Sequence, residues 1–234
     1  MSEDSIDALK KIAAAKAADD VTDGMIVGLG SGSTAAHVVE ALGQRVSKGL
    51  RIIGIPTSEQ TADHARKLGI PISDLGQHGR IDITIDGADE VERGTLDLIK
   101  GHGGALLREK IVATASRALL IVVDQTKLVE HLGSHFAIPI EVVPFGWQTT
   151  ASRLADLGAT PNMRIGENGQ PFISDGGHYI LDCRFPTPIG SAEKLDERLN
   201  DTLGVVEHGL FLGLTSKVFI GSDKGVQIIS ATRT

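Results

Sequence analysis

Residues 25–42 read MIVGLGSGSTAAHVVEAL. Met25 to Leu29 is a short apolar run of the kind that forms a buried strand, and Gly30 to Ser33 is a glycine-serine loop. Thr34 to Leu42 then places apolar residues at helical spacing up to Gly43, which predicts a helix ending at that glycine. Strand, loop and helix follow one another without a linker. Upstream, Ser5 to Ala18 carries Ile6, Leu9, Ile12, Ala13 and Lys16 in the pattern of one amphipathic helix, and Asp23-Gly24 turns the chain. Downstream the alternation continues: strand Arg51 to Ile55, helix Glu59 to Leu68 closed by Gly69, strand Ile81 to Ile85, helix Ala105 to Ala115 and buried strand Ala118 to Val123.

Strands that alternate with helices require a mostly parallel sheet covered on both faces. After Leu132 the rhythm changes. Strand Ile138 to Val143, helix Thr149 to Leu157, strand Thr160 to Ile165, a hairpin signal at Asn168-Gly169, strand Tyr179 to Arg184, helix Ser191 to Leu199 and strand Val205 to Leu210 make a split β-α-β-β-α-β unit, with Phe172 to Ser174 as hairpin decoration. Val218 to Gly221 and Val226 to Ser230, joined by the Asp223-Lys224-Gly225 turn, form a hairpin returning to the main sheet. The expected fold class is α/β, a Rossmann-like mostly parallel sheet with helices on both faces, plus a smaller ferredoxin-like α+β domain. The expected boundaries are 1–132 with 209–234 for the first domain and 133–208 for the inserted one.

The chain has 234 residues, 41% of them apolar, enough for one large or two modest cores. Its longest apolar run, Ala118 to Val123, falls far short of the roughly 20 residues of a membrane helix. The start, MSEDSIDALKK, is acidic and polar where a secretory signal would be basic and then apolar, which points to the cytoplasm. Cys183 alone gives no intrachain disulfide and no cysteine zinc site, and inside a strand pattern it reads as core filler. A net charge of −7 and 3% aromatic residues argue against a nucleic-acid partner. An anionic ligand would need local cations and helix N-termini.

In a parallel sheet ligands gather at the carboxyl ends of the strands, and three segments there stand out. In GLGSGSTA (28–35), Gly30 and Gly32 permit close backbone approach, while Ser31, Ser33 and Thr34 offer hydroxyls and amides at a helix N-terminus. The segment fits a phosphate cradle, a loose G-x-G-x-x-A dinucleotide fingerprint, or a structural tight turn. The dinucleotide reading wants an acidic residue after the next strand, where Pro56-Thr57-Ser58 stands instead. DITIDGADE (82–90) crowds Asp86, Asp89 and Glu90 into five residues, a repulsive arrangement. Asp86 and Asp89 fit a capped turn, a magnesium site or acid/base work on a sugar. IKGHGGALLREK (99–110) sets a lysine before Gly101-His102-Gly103-Gly104 and a helix with Glu109, which is either a second anion nest or ordinary loop architecture. Taken alone, Glu109 between Arg108 and Lys110 reads as a solvated charge, and His102 alone is weak support for a base or a ligand.

Together with VDQTKLV (123–129), FAIPIEVVPF (136–145) and EHGLF (207–211), these segments resemble the type A ribose-5-phosphate isomerases, in order and over nearly the whole chain. The resemblance implies interconversion of ribose 5-phosphate and ribulose 5-phosphate in the pentose phosphate pathway, without metal or organic cofactor. Glu109 falls on the catalytic base that moves a proton between C1 and C2 through an enediol, and Asp86 and Asp89 on the carboxylates that handle sugar hydroxyls and ring opening. Lys100 falls on the lysine that polarises the carbonyl oxygen and offsets the acidic cluster. Substrate-binding positions are Ser31, Gly32, Ser33 and Thr34, then Asp86, Gly87, Ala88 and Asp89, then Lys100, Gly101, His102 and Gly103, with Lys127 and, near the phosphate, Lys10. His102 interrupts a glycine run that is commonly unbroken in the family. The implied partners are a sugar-phosphate substrate and a second copy of the chain, as homodimer or homotetramer, with no nucleic acid and no membrane. The related acyl-CoA transferases would use Glu109 as a nucleophile, and sugar-phosphate-sensing regulators would carry a helix-turn-helix before the first strand, where one helix is expected.

Overall fold

The computed structural model describes residues 3–231. The chain runs through α1 (Glu3–Ala18), β1 (Ile26–Leu29), α2 (Gly32–Val46), β2 (Ile53–Pro56), α3 (Glu59–Lys67), β3 (Ile83–Gly87), β4 (Glu90–Glu92), β5 (Leu98–Ile99), α4 (Leu106–Thr114) and β6 (Leu119–Asp124). A 3-10 turn (Gln125–Lys127) leads to β7 (Leu128–Val129), β8 (Ile138–Val142), α5 (Trp147–Asp156), β9 (Thr160–Met163) and β10 (Tyr179–Arg184). Then come α6 (Ala192–Asn200), β11 (Val205–His208), β12 (Leu210–Phe211), β13 (Thr215–Ser222) and β14 (Gly225–Ser230). Two compact units divide these elements: one holds the described residues up to Ala88, Arg108–Lys127 and Leu214 onward, the other Asp89–Leu107 and Leu128–Gly213.

The first unit is built on a six-stranded sheet in the order β14-β13-β6-β3-β1-β2. Every pairing is parallel except that of β13 with β14. Alternation along the strands sorts the faces. Val27, Leu29, Ile83 and Ile85 join Ala13, Ala17, Val38 and Leu42 of α1 and α2 in one core, while Val112 of α4 packs with Ile55 and Ile81 in another. Helices therefore cover both faces, as the alternating sequence requires. Gly43 does not end α2. It sits buried within the helix, where an added Cβ would stand 2.8 Å from the Leu68 side chain. The glycine makes room for the end of α3, a demand of packing that a local reading takes for a stop signal.

The second unit holds two four-stranded sheets. One, in the order β11-β8-β10-β9 with all pairs antiparallel, has the arrangement of a split β-α-β-β-α-β unit. Its apolar core gathers Ile138, Ile140, Leu154, Leu181, Leu195 and Leu199. Cys183 is buried there as expected, and desolvation, with the Asp182 charge adding to it, pushes its thiol up to about 12. The expected Phe172 to Ser174 stretch forms one isolated bridge, Ile173 with Tyr179, next to another between Ile165 and Pro171. The expected strand from Val205 to Leu210 is broken after His208, since Leu210 and Phe211 pair with β5 in the other sheet. That second sheet, β12-β5-β4-β7, brings residues 90–99 together with 128–129 and 210–211. Strands of two or three residues carry no legible periodicity, and their pairing is what groups Asp89–Leu107 with the second unit.

Glu90 explains part of the acidic crowding. Fully buried on β4, its carboxylate accepts main-chain N–H groups from Gly133 at 2.6 Å, His135 at 2.6 Å and Phe136 at 2.8 Å. A buried anion with three amide donors is a satisfied structural group. Glu90→Gln turns an amide NH2 toward those N–H donors, and we expect a loss of about 3 kcal/mol in urea unfolding, since hydrogen bonds to charged groups count for most. An unchanged urea midpoint would show that Glu90 does not pin the 133–136 turn. Among the described residues, no helix is long and apolar enough to cross a membrane.

Candidate active site

The strand order of the first unit reverses at β1, which has β2 on one side and β3 on the other. Such a switch point opens a crevice at the carboxyl ends of the two inner strands, and the loop after β1 and the end of β3 both lie there. Asp86 is not beyond β3 but within it, buried and facing the loop. Its Oδ1 accepts the N–H groups of Ser31 at 3.1 Å and Gly87 at 2.8 Å. Gly30 is required by this contact, because an added Cβ would stand 2.0 Å from Asp86 Oδ1.

Ser31 begins α2 without a side-chain capping bond, because its hydroxyl is engaged elsewhere. Ser31 Oγ lies 2.6 Å from Thr57 Oγ1 and 2.9 Å from Ser58 Oγ, while Thr61 Oγ1 donates to the Gly30 carbonyl at 2.9 Å. Thr57 and Ser58, in the segment that counts against a dinucleotide, thus support the Ser31 loop. Reading the end of the neighbouring strand for hydroxyls would have found them. Gly32 takes φ +85°, and both Gly32 and Ser33 are exposed at the first turn of a 15-residue helix, whose amides and dipole favour an anion. Thr34 is half-buried, and a Cβ on Gly87 would lie 3.3 Å from Thr34 Cβ. Ala88 follows β3, half-buried.

Cations reach this end of the unit from two elements. Lys10 Nζ of α1 donates to Ser33 Oγ at 3.2 Å, which singles it out from its neighbour Lys11. Lys127 closes the 3-10 turn after β6, where the buried Asp124 accepts the N–H of Thr126 at 2.9 Å and also its hydroxyl. Lys10, Lys11, Asp124, Thr126 and Lys127 line one groove.

Glu109 departs from the solvated reading: it is only 4% exposed. The cause is helical geometry. Gly28 lets α4 lie against the sheet, since an added Cβ there would stand 1.9 Å from Thr84 Oγ1 and 2.8 Å from Val112 Cγ1. Glu109 sits one turn before Val112 and so shares its inward face, whereas Arg108 points outward to pair with Glu59 at 2.9 Å. Glu109 also lies in the first turn of α4.

In the second unit, Lys100 follows β5 and is 3% exposed, with its N–H bonded to the Gly209 carbonyl at 2.9 Å and its Nζ 5.5 Å from the centre of the Phe211 ring. Gly209 must be glycine, because a Cβ would stand 2.2 Å from the Lys100 carbonyl oxygen. Asp89 is half-buried, and its Oδ2 accepts the His102 N–H at 3.0 Å. Gly101 is buried at φ +102°, while His102 and Gly103 are exposed. The His102 ring meets Phe136 edge-on with centroids 4.7 Å apart. The three carboxylates of the 86–90 segment are thus each held by main-chain amides, which offset their like charge. Among the described residues, no group of three or more His, Cys, Asp and Glu side chains is placed to hold a metal ion.

The model of the ribose 5-phosphate isomerase A (phosphoriboisomerase A) family matches residues 53–225. The chain is 55% identical to the ribose-5-phosphate isomerase A of Gloeobacter violaceus over 225 residues, covering 96% of this chain and 97% of the relative. Among solved structures, the ribose 5-phosphate isomerase from Plasmodium falciparum superposes with a TM-score of 0.93 at 42% identity, covering 97% of this chain and 100% of that one. A D-ribose-5-phosphate isomerase in complex with phospho-erythronic acid does so with a TM-score of 0.93 at 37% identity, over 98% and 100% of the two chains. This chain is an α/β enzyme whose two units match those relatives from end to end. It belongs to the ribose 5-phosphate isomerase A family.

Proposed function

We propose that this protein interconverts D-ribose 5-phosphate and D-ribulose 5-phosphate through an enediolate, with Glu109 as the base. The observation that carries the residue assignment is the burial of Glu109: a carboxylate out of water, on the inner face of a helix, is placed for proton transfer rather than for solubility. Starting from the open-chain aldose, Glu109 takes the proton from C2 and the electron pair moves to the carbonyl oxygen at C1. The Lys100 ammonium stabilises the charge that develops there. Glu109 then returns the proton to C1, and the hydroxyl proton passes from O2 to O1, leaving a ketone at C2. Asp86 and Asp89 orient the sugar hydroxyls and assist ring opening. The amides at the start of α2, with Ser31, Gly32, Ser33 and Thr34, bind the substrate, and Lys10 and Lys127 bring positive charge to the phosphate. Gly87, Ala88, Gly101, His102 and Gly103 contribute backbone contacts.

The family resemblance extends the proposal to the non-oxidative pentose phosphate pathway, a cytoplasmic location and a homodimeric or homotetrameric assembly. The direct test is to treat the purified protein with a chelator, add ribose 5-phosphate and follow the ketose absorbance of ribulose 5-phosphate. Rapid conversion is expected. Absence of conversion by the chelated and the untreated protein alike would overturn the reading.

A further inference from the structure

We propose that Arg164 is a positioning residue for the isomerisation, setting the peptide planes of Gly101 and His102 so that Lys100 and Asp89 keep their orientation. The inference rests on the function proposed above. Arg164 follows β9, and its side chain is 12% exposed. Its Nε donates to Asp182 Oδ2 at 2.9 Å and its Nη2 to Asp182 Oδ1, a two-point pairing across to β10 that leaves the guanidinium a single orientation. The remaining Nη1 donates to two successive carbonyls, Gly101 at 2.9 Å and His102 at 3.0 Å.

In a trans peptide the C=O and the following N–H point to opposite sides. Drawing the Gly101 carbonyl to Arg164 therefore turns the His102 N–H away from it, where that N–H meets Asp89 Oδ2. A chain of directed bonds runs from Asp182 through Arg164 and the 101–102 peptide to Asp89, with Lys100 as the residue just before. The loop has need of such a clamp. Gly101 holds a left-handed φ, and Phe172, whose ring lies 6.0 Å from the Arg164 guanidinium carbon, closes over Gly104, where an added Cβ would stand 2.4 Å from it.

The test compares Arg164→Ala, Arg164→Lys and Asp182→Asn with the parent protein in kcat and KM for ribose 5-phosphate, inhibition by phospho-erythronic acid, and thermal unfolding. Arg164→Ala is expected to lower kcat about 10- to 100-fold, the scale on which a misplacement of the order of an ångström acts, with a smaller rise in KM. Added guanidinium ion should restore part of the rate. The lysine variant should recover little, because an ammonium cannot pair at two points while also holding two carbonyls. A folded Arg164→Ala protein with parental kcat overturns the proposal, as does a rate loss that tracks the unfolded fraction and is not recovered by guanidinium. If Arg164→Ala does not fold, Asp182→Asn carries the same test, with a smaller loss of kcat expected at unchanged fold and parental kcat overturning the proposal. An inactive parent protein would instead overturn the isomerase reading, so the two failures are distinct.

Discussion

Glu109→Gln is expected to lower kcat by about three orders of magnitude, the middle to upper part of the range for a positioned base, while ribose 5-phosphate still binds. Glutamine preserves the size of the side chain and its hydrogen-bonding reach, so the inner face of α4 stays filled. What it cannot do is take the proton that the proposed mechanism removes from C2. Because the isosteric change leaves ground-state contacts in place, the effect should fall on kcat rather than KM. Exchange of the C2 proton with heavy water, followed by NMR, gives a second readout and should vanish with the rate. Normal turnover by the variant would remove Glu109 from the mechanism and with it the proposed chemistry.

Lys100→Ala is expected to lower kcat by about two orders of magnitude, the scale of losing one preorganised stabiliser of a developing oxyanion. The substitution also removes an aliphatic stem buried against Phe211, so Lys100→Met, which keeps the stem, is the needed companion. Equal losses of kcat in both variants, at unchanged melting temperature, locate the effect in the ammonium. Should only KM rise, Lys100 binds the substrate and the charge on the intermediate is stabilised by other groups.

The parts of the fold and site that were legible in the sequence are those whose cause is local. The Met25–Leu42 stretch shows strand, glycine-serine loop and helix because glycine, hydroxyls and helical spacing are each a property of neighbouring residues. The buried strand at Ala118–Val123 is legible for the same reason. Glu109 reads as solvated because Arg108 and Lys110 flank it, yet one residue along a helix is a rotation of about 100°, and neighbours in sequence face different surroundings. Glu90 carries no local mark, since its donors lie more than forty residues away. Arg164 is likewise one residue of an apparent strand until Asp182 and the 101–102 carbonyls are brought to it. The sheet formed by β4, β5, β7 and β12 is silent in the sequence because pairing, not propensity, creates it.

The place of β13 has a consequence for biosynthesis. Residues 215–222 insert between β6 and β14, so the fully buried strand LLIVVD of β6 has its second neighbour only after residues 128–213 have been made. Until then a nascent chain presents an unpaired edge in a parallel sheet, apolar from Leu119 to Val123, the kind of surface that recruits other strands. The segment that completes the first unit's sheet leaves the ribosome only after every residue of the second unit, and a chain cut short before it would be a substrate for chaperones and proteases rather than a smaller enzyme.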